Sequence, residues 1–128
     1  MKLGMTIALA SVLLSACASL EPSALAQFQA KPGTPAEAVF RCAEAAIQSR
    51  KKIVTAWDEQ VTTRDTGAGL FETGQFAQTN ISGIRTRISY ATATGEGRIH
   101  IKASGAYFVD LGAEQAAAQL ASDMKQCP

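Results

Sequence analysis

The chain of 128 residues has one histidine, one tryptophan, two tyrosines and few charges, which make up 18% of it. A lone imidazole leaves any zinc site short of its usual ligands. It also leaves a hydrolytic dyad dependent on an activated Ser or Cys nearby, which no spacing indicates. The three cysteines include no CxxC pair, so the common redox motif is excluded. There is no Walker loop, and the glycines of TGAG (66–69) are ordinary turn material. Neither sign of charge prevails, with 12 Lys and Arg against 11 Asp and Glu. A general polyanion binder, and so a nucleic-acid protein, is not indicated. No cofactor-binding motif is seen. The one long apolar run, ending at Leu14, is too short to cross a bilayer comfortably.

What is present begins with an export signal: a basic start at Met1-Lys2, the apolar run, then small residues. Two cleavage signals follow a few residues apart. Leu14-Ser15-Ala16-Cys17 resembles the lipobox of bacterial lipoproteins. That resemblance implies a signal peptide over 1–16, lipidation (diacylglycerol, often palmitate-containing) at Cys17, and membrane attachment. With Ala18 rather than aspartate after the cysteine, it implies sorting to the outer membrane. Ala24-Leu25-Ala26 is an ordinary A-x-A site, and cleavage there would release a soluble periplasmic protein. Without residues 1–16 the chain keeps eleven basic and eleven acidic side chains.

Residues 17–33, rich in Ala, Ser, Pro and Gln, read as the lipidated cysteine and a flexible tether. One domain is expected over 34–128. Thr34-Pro35-Ala36-Glu37 has the form of a capping box, with Pro35 at the first helical position. Val39, Phe40, Ala43, Ala46 and Ile47 then recur at helical spacing. Trp57, Glu59, Val61 and Thr63 share a strand face, and Leu70 to Ala77 reads as a second strand. Ile84, Thr86, Ile88 and Tyr90 alternate with Arg85, Arg87 and Ser89. Ile99, Ile101 and Ala103 alternate with Arg98, His100 and Lys102 beyond a turn at Gly95. Asp110 is placed to cap a last helix, with Ala113, Ala116, Ala117, Leu120, Met124 and Cys127 on one side. The expected fold is an α+β two-layer sandwich in the order α-β-β-β-β-α, an antiparallel sheet with both helices on one face.

Cys42 and Cys127 fall on the buried sides of the two helices, and in an oxidising periplasm such a pair is expected to form a disulfide. Arg85, Arg87, Arg98, His100 and Lys102 all lie opposite the isoleucines and form the candidate binding surface. A solvated strand face whose charges discourage aggregation is the plainer reading. Asn80-Ile81-Ser82 matches a glycosylation sequon by pattern alone.

The stretch TTRDTGAGLFETG followed by RTRIS is similar to repeats of BamC, a lipoprotein of the β-barrel assembly machinery, and of other small envelope lipoproteins. Asp65, Gly69, Thr73, Arg85 and Arg87 correspond to its marks. The tryptophan often found after that threonine is missing, and Phe76 is the nearest aromatic. The resemblance implies a helix-on-sheet accessory domain. The function expected is thus a non-enzymatic binding or accessory module, anchored in the outer membrane through its N-terminal lipid. Its partner would be an envelope protein or an anionic envelope component. The alternative is a soluble inhibitor or immunity-type protein, released after Ala26 and using an edge strand or the loop QTNISG (78–83).

Overall fold

Period-two alternation with one apolar side demands a sheet covered on that side only, and the long hairpin forms on that rule. The computed structural model describes residues 21–79, 81–104 and 112–127. The leader, Cys17, Asn80 of the sequon and Asp110 lie outside them. Strand β4 (Gly83–Ala91) pairs antiparallel with β5 (Glu96–Ser104), placing Ile88 opposite Ile99 and Thr86 opposite Ile101. Helices α1 (Ala36–Lys51) and α2 (Ala113–Met124) bring their apolar stripes to that face. Val39, Phe40, Ala43, Ile47, Ala116 and Leu120 share a core with Ile84, Ile88, Ile99 and Ile101. Each large apolar side chain so buried contributes roughly 1.5–3 kcal/mol. The protein is an α+β fold with both helices on one side of an antiparallel sheet.

Strands β2 (Val61–Asp65) and β3 (Leu70–Thr73) extend the sheet beyond β4. They are shorter than the alternation predicts. Trp57 is fully buried and meets Ile84 through an isolated bridge, rather than sharing a strand with Val61. The second strand ends at Thr73, leaving Phe76 in a loop.

The main correction concerns the N-terminal segment. Residues 23–29, read above as tether, form strand β1 (Ser23–Gln29), which pairs antiparallel along its whole length with β5, from Ser23↔Lys102 to Gln29↔Glu96. The sheet has five strands in the order β1-β5-β4-β3-β2. Ala24, Ala26 and Phe28 face the core, while Leu25 is 77% exposed. Phe28 lies on the bare backbone of Gly97, where a Cβ would sit about 2.0 Å from the ring, and stacks on Tyr90 with 6.4 Å between ring centroids. Glycine is required there because the aromatic occupies the place of a side chain.

The capping box is a second correction. The Thr34 hydroxyl donates to the carbonyl of Lys31 at 2.7 Å, and Glu37 pairs with Arg41 instead of reaching back. Pro35 is the cap residue, one position outside the helix, and its carbonyl accepts from the N–H groups of Ala38 and Val39. The thiols of Cys42 and Cys127 are joined, with their Cα atoms 6.1 Å apart. The link ties α1 to the chain just beyond α2.

Candidate functional site: a lidded row of cations

The register of β4 and β5 sets Arg85 opposite Lys102, Arg87 opposite His100 and Ser89 opposite Arg98. All five candidate residues do share the face away from the helices, as period-two geometry requires. Solvent does not reach them equally. Arg85 is completely buried, Arg87, His100 and Lys102 are half-buried, and only Arg98 is exposed.

A lid explains the difference. After β3 the chain turns back over the sheet, and the loop from Gly74 to Thr79 carries Phe76, itself 2% exposed, onto the cations. Its ring lies 4.4 Å from the Arg87 guanidinium carbon and 4.7 Å from Lys102 Nζ, and meets His100 edge-on at 5.0 Å. A cation over an aromatic face is held by the ring quadrupole, more strongly where water is excluded. The lid's backbone is held by the same groups. Arg85 Nη1 donates to the carbonyls of Gln75, Phe76 and Gln78 at 3.0, 3.3 and 2.6 Å, and Lys102 Nζ donates to Phe76 at 3.0 Å. A loop with buried carbonyls needs such donors.

Two carboxylates balance the row. Glu72 accepts from Arg87 Nε at 2.6 Å and from the Thr63 hydroxyl at 2.9 Å. Glu21, at the head of the segment read as tether, forms an ion pair with Arg85 Nη2 and accepts from the Ser104 hydroxyl. Its side chain is 10% exposed. Burial lowers the pKa of Arg85 from its ordinary value, yet a guanidinium starts high enough to stay charged. Burial, then the repulsion of Lys102 and Arg87, lowers the pKa of His100. Lys102 is lowered by burial and by Arg85 and Arg87, with Glu72 opposing. These shifts belong to a crowded, partly desolvated set of like charges.

Arg85 must therefore be withdrawn from the candidate binding surface. Its guanidinium is an interior strut between Glu21 and the lid. Arg87 and Lys102 are largely committed to Glu72, Phe76 and the lid. His100 lies between Leu25 and Arg87 on the neighbouring strands, with neither a nucleophile nor an orienting acid opposite it. Arg98 forms no ion pair among the described residues. The face that remains accessible includes Arg98, Ser89 and Glu96 with Leu25 and Gln27 of β1, flanked by Lys102.

Sequence reasoning missed Glu21, Leu25 and the lid. Of the residues that carry the BamC resemblance, Gly69 has a positive φ of 68° in the turn between β2 and β3, and a Cβ there would collide with the Tyr90 carbonyl. Thr73 is buried and its hydroxyl accepts from the N–H of Thr86. Phe76, the nearest aromatic, is the lid residue. An open groove of about 380 Å³ between the helices, lined by Cys42, Ala46, Ser49, Arg50, Ile53 and Asp123, is on the other side of the sheet. Compared with known proteins, the chain matches no family model, no curated protein and no solved structure.

Proposed function

We propose that this chain is an outer-membrane lipoprotein, held on the periplasmic side by lipid on Cys17, whose α+β domain serves as a non-enzymatic binding or accessory module of the cell envelope. The observation that supports this reading is the place of residues 21–26 in the fold. Cleavage before Cys17 preserves them. Cleavage after Ala26 removes Ser23 to Ala26, more than half of β1, and with them Glu21, the carboxylate paired with buried Arg85. A buried charge stripped of its partner is strongly destabilising. The A-x-A signal thus lies within a strand that the domain needs, which argues against the soluble, released form.

The contact surface proposed for an envelope protein or an anionic envelope component is Arg98, with Arg87, His100 and Lys102 contributing at the margin of the lid. The lipid reading is tested by palmitate labelling and intact mass of the native protein, with Cys17→Ala as control. An acylated chain beginning at Cys17 is expected. An unmodified chain beginning at Gln27 overturns it and restores the released inhibitor or immunity-type alternative.

A further inference from the structure

The anchoring residue and the first described residue are separated by four peptide steps, Cys17 to Glu21. Fully extended, that span reaches about 14 Å. A domain of roughly 100 residues has a radius of gyration of about 13 Å. The link is therefore no longer than the domain's own half-width, and the loss of the long tether removes any stand-off from the bilayer. Some part of the folded surface must meet the lipid.

From this geometry, resting on the lipoprotein reading above, we infer that the open face of the sheet lies on the bilayer, with Leu25 and Arg98 against an anionic phospholipid surface. Three observations select that face. Glu21 enters on it: its carboxylate reaches Arg85 and Ser104, both on the side away from the helices. Charge along the face is graded from the anchor outward. Lys102 pairs with Ser23 nearest the anchor, Arg98 with Gln27 farther along, and the acid Glu96 with Gln29 at the far end. Arg85 and Arg87 are neutralised by Glu21 and Glu72, which leaves Lys102 and Arg98 as the cations of this face that form no ion pair among the described residues. Basic side chains close to a membrane are attracted to anionic lipid.

The third observation is Leu25. It is 77% exposed on an edge strand, on the same face as Arg98 and beside His100. Strand geometry places it about 13 Å along from Glu21, within the footprint of a sheet lying flat. A single exposed leucine is unremarkable by itself; beside a lipid anchor and a cationic row it has a use. The helix side has an exposed apolar residue of its own, Ile53 beside Lys52 just beyond the end of α1, and the labelling comparison with α1 below decides between the two faces. The helix over β1 is α2, whose first turn exposes Glu114.

The test uses the lipidated protein reconstituted in vesicles of phosphatidylethanolamine and phosphatidylglycerol with nitroxide-labelled lipid. Cys42 and Cys127 are joined to each other and Cys17 carries the lipid, so one introduced thiol can be labelled with a fluorescent dye. Leu25→Cys, with Gln27→Cys as a second site on the same face, is compared with Gln48→Cys on the exposed side of α1. Strong quenching at 25 and 27 with little at 48 is expected, and Arg98→Glu should reduce quenching at 25. Equal quenching at all three sites, stronger quenching at 48, or no effect of Arg98→Glu overturns the orientation. Intact mass, measured first, keeps the two readings separate. A non-acylated chain sinks the lipoprotein reading and this inference with it; an acylated chain with the wrong quenching pattern sinks only the orientation.

Discussion

Glu21→Gln tests whether the segment next to the anchor is part of the fold. The variant keeps the size of the side chain and removes its charge. Arg85 then stays fully buried with three carbonyls on Nη1, while Nε and Nη2 already lack a hydrogen-bond partner and the carboxylate beside Nη2 is replaced by a neutral amide. Breaking a buried pair from one side typically costs 3–5 kcal/mol. The amide oxygen can still accept one hydrogen bond, so the lower end applies, about 3 kcal/mol. For a domain this size that lowers Tm by roughly 12 °C or more. The comparison is Glu37→Gln, which removes the Arg41 pair whose side chains are 75% and 63% exposed; surface pairs of this kind contribute about 0.5 kcal/mol or less. Both variants are made in a leaderless Cys17→Ser chain and measured by urea denaturation and circular dichroism. If Glu21→Gln loses no more stability than Glu37→Gln, the buried pair is not a strut and the argument against cleavage at Ala26 fails. Pairing Glu21→Gln with Arg85→Met should recover only part of the loss, because the lid carbonyls would then lack their donor.

Three further outcomes follow from the same geometry. His100 titrates below its ordinary value of 6.5 in the fold, so between that lowered value and 6.5 the unfolded chain binds more protons, and stability falls as pH drops through this window. His100→Gln should flatten the fall in urea midpoint between pH 7.5 and 5.5; an identical fall in both proteins refutes the assignment. Cys42→Ala with Cys127→Ala opens a link spanning 85 residues, a loss of about 4.5 kcal/mol on chain entropy, read from urea midpoints; a loss below about 1 kcal/mol would show that the link constrains little. Gly97→Ala should expel Phe28 and free β1, speeding amide exchange at Ala24 to Phe28 while the β3–β4 ladder keeps its protection; unchanged exchange in β1 would mean that Phe28 repacks without cost.

The central hairpin was legible because inward positions carrying all four isoleucines alternate with polar, mostly charged ones along both strands, and one slip would turn every isoleucine to water. Strand β1 obeys the same alternation, Ala24, Ala26 and Phe28 inward against Leu25 and Gln27 outward. It was hidden because two inward positions are alanines and the most apolar residue but one points out. Composition alone made it a linker. The paired signal was there in the bare Gly97 opposite Phe28, since an aromatic laid over a glycine on the adjacent strand is a known way of pinning an edge. The helix start failed for a different reason: Thr34 had a nearer acceptor at Lys31, and a capping motif fixes only what its residues can reach, not which bond they choose.

The cationic face marks the limit of alternation as an argument. Period two assigns Arg85 to the side away from the isoleucines, but says nothing about what lies over that side. Two physical solutions exist for a row of like charges on a strand: leave it in water, or cover it with carbonyls, carboxylates and an aromatic ring. The second requires a loop able to double back and supply them, and Phe76 in the stretch Gly74 to Thr79 meets that requirement. It also requires an acid close to the most enclosed charge. Among the described residues Glu21 is the one that pairs with Arg85, and it lies 64 positions away in the chain. No local pattern could have joined them. The pairing is set by β1 docking on β5, so the burial of Arg85 and the ordering of the segment next to the anchor are one event, and a change that frees β1 should leave the lid over a charge it can no longer hold.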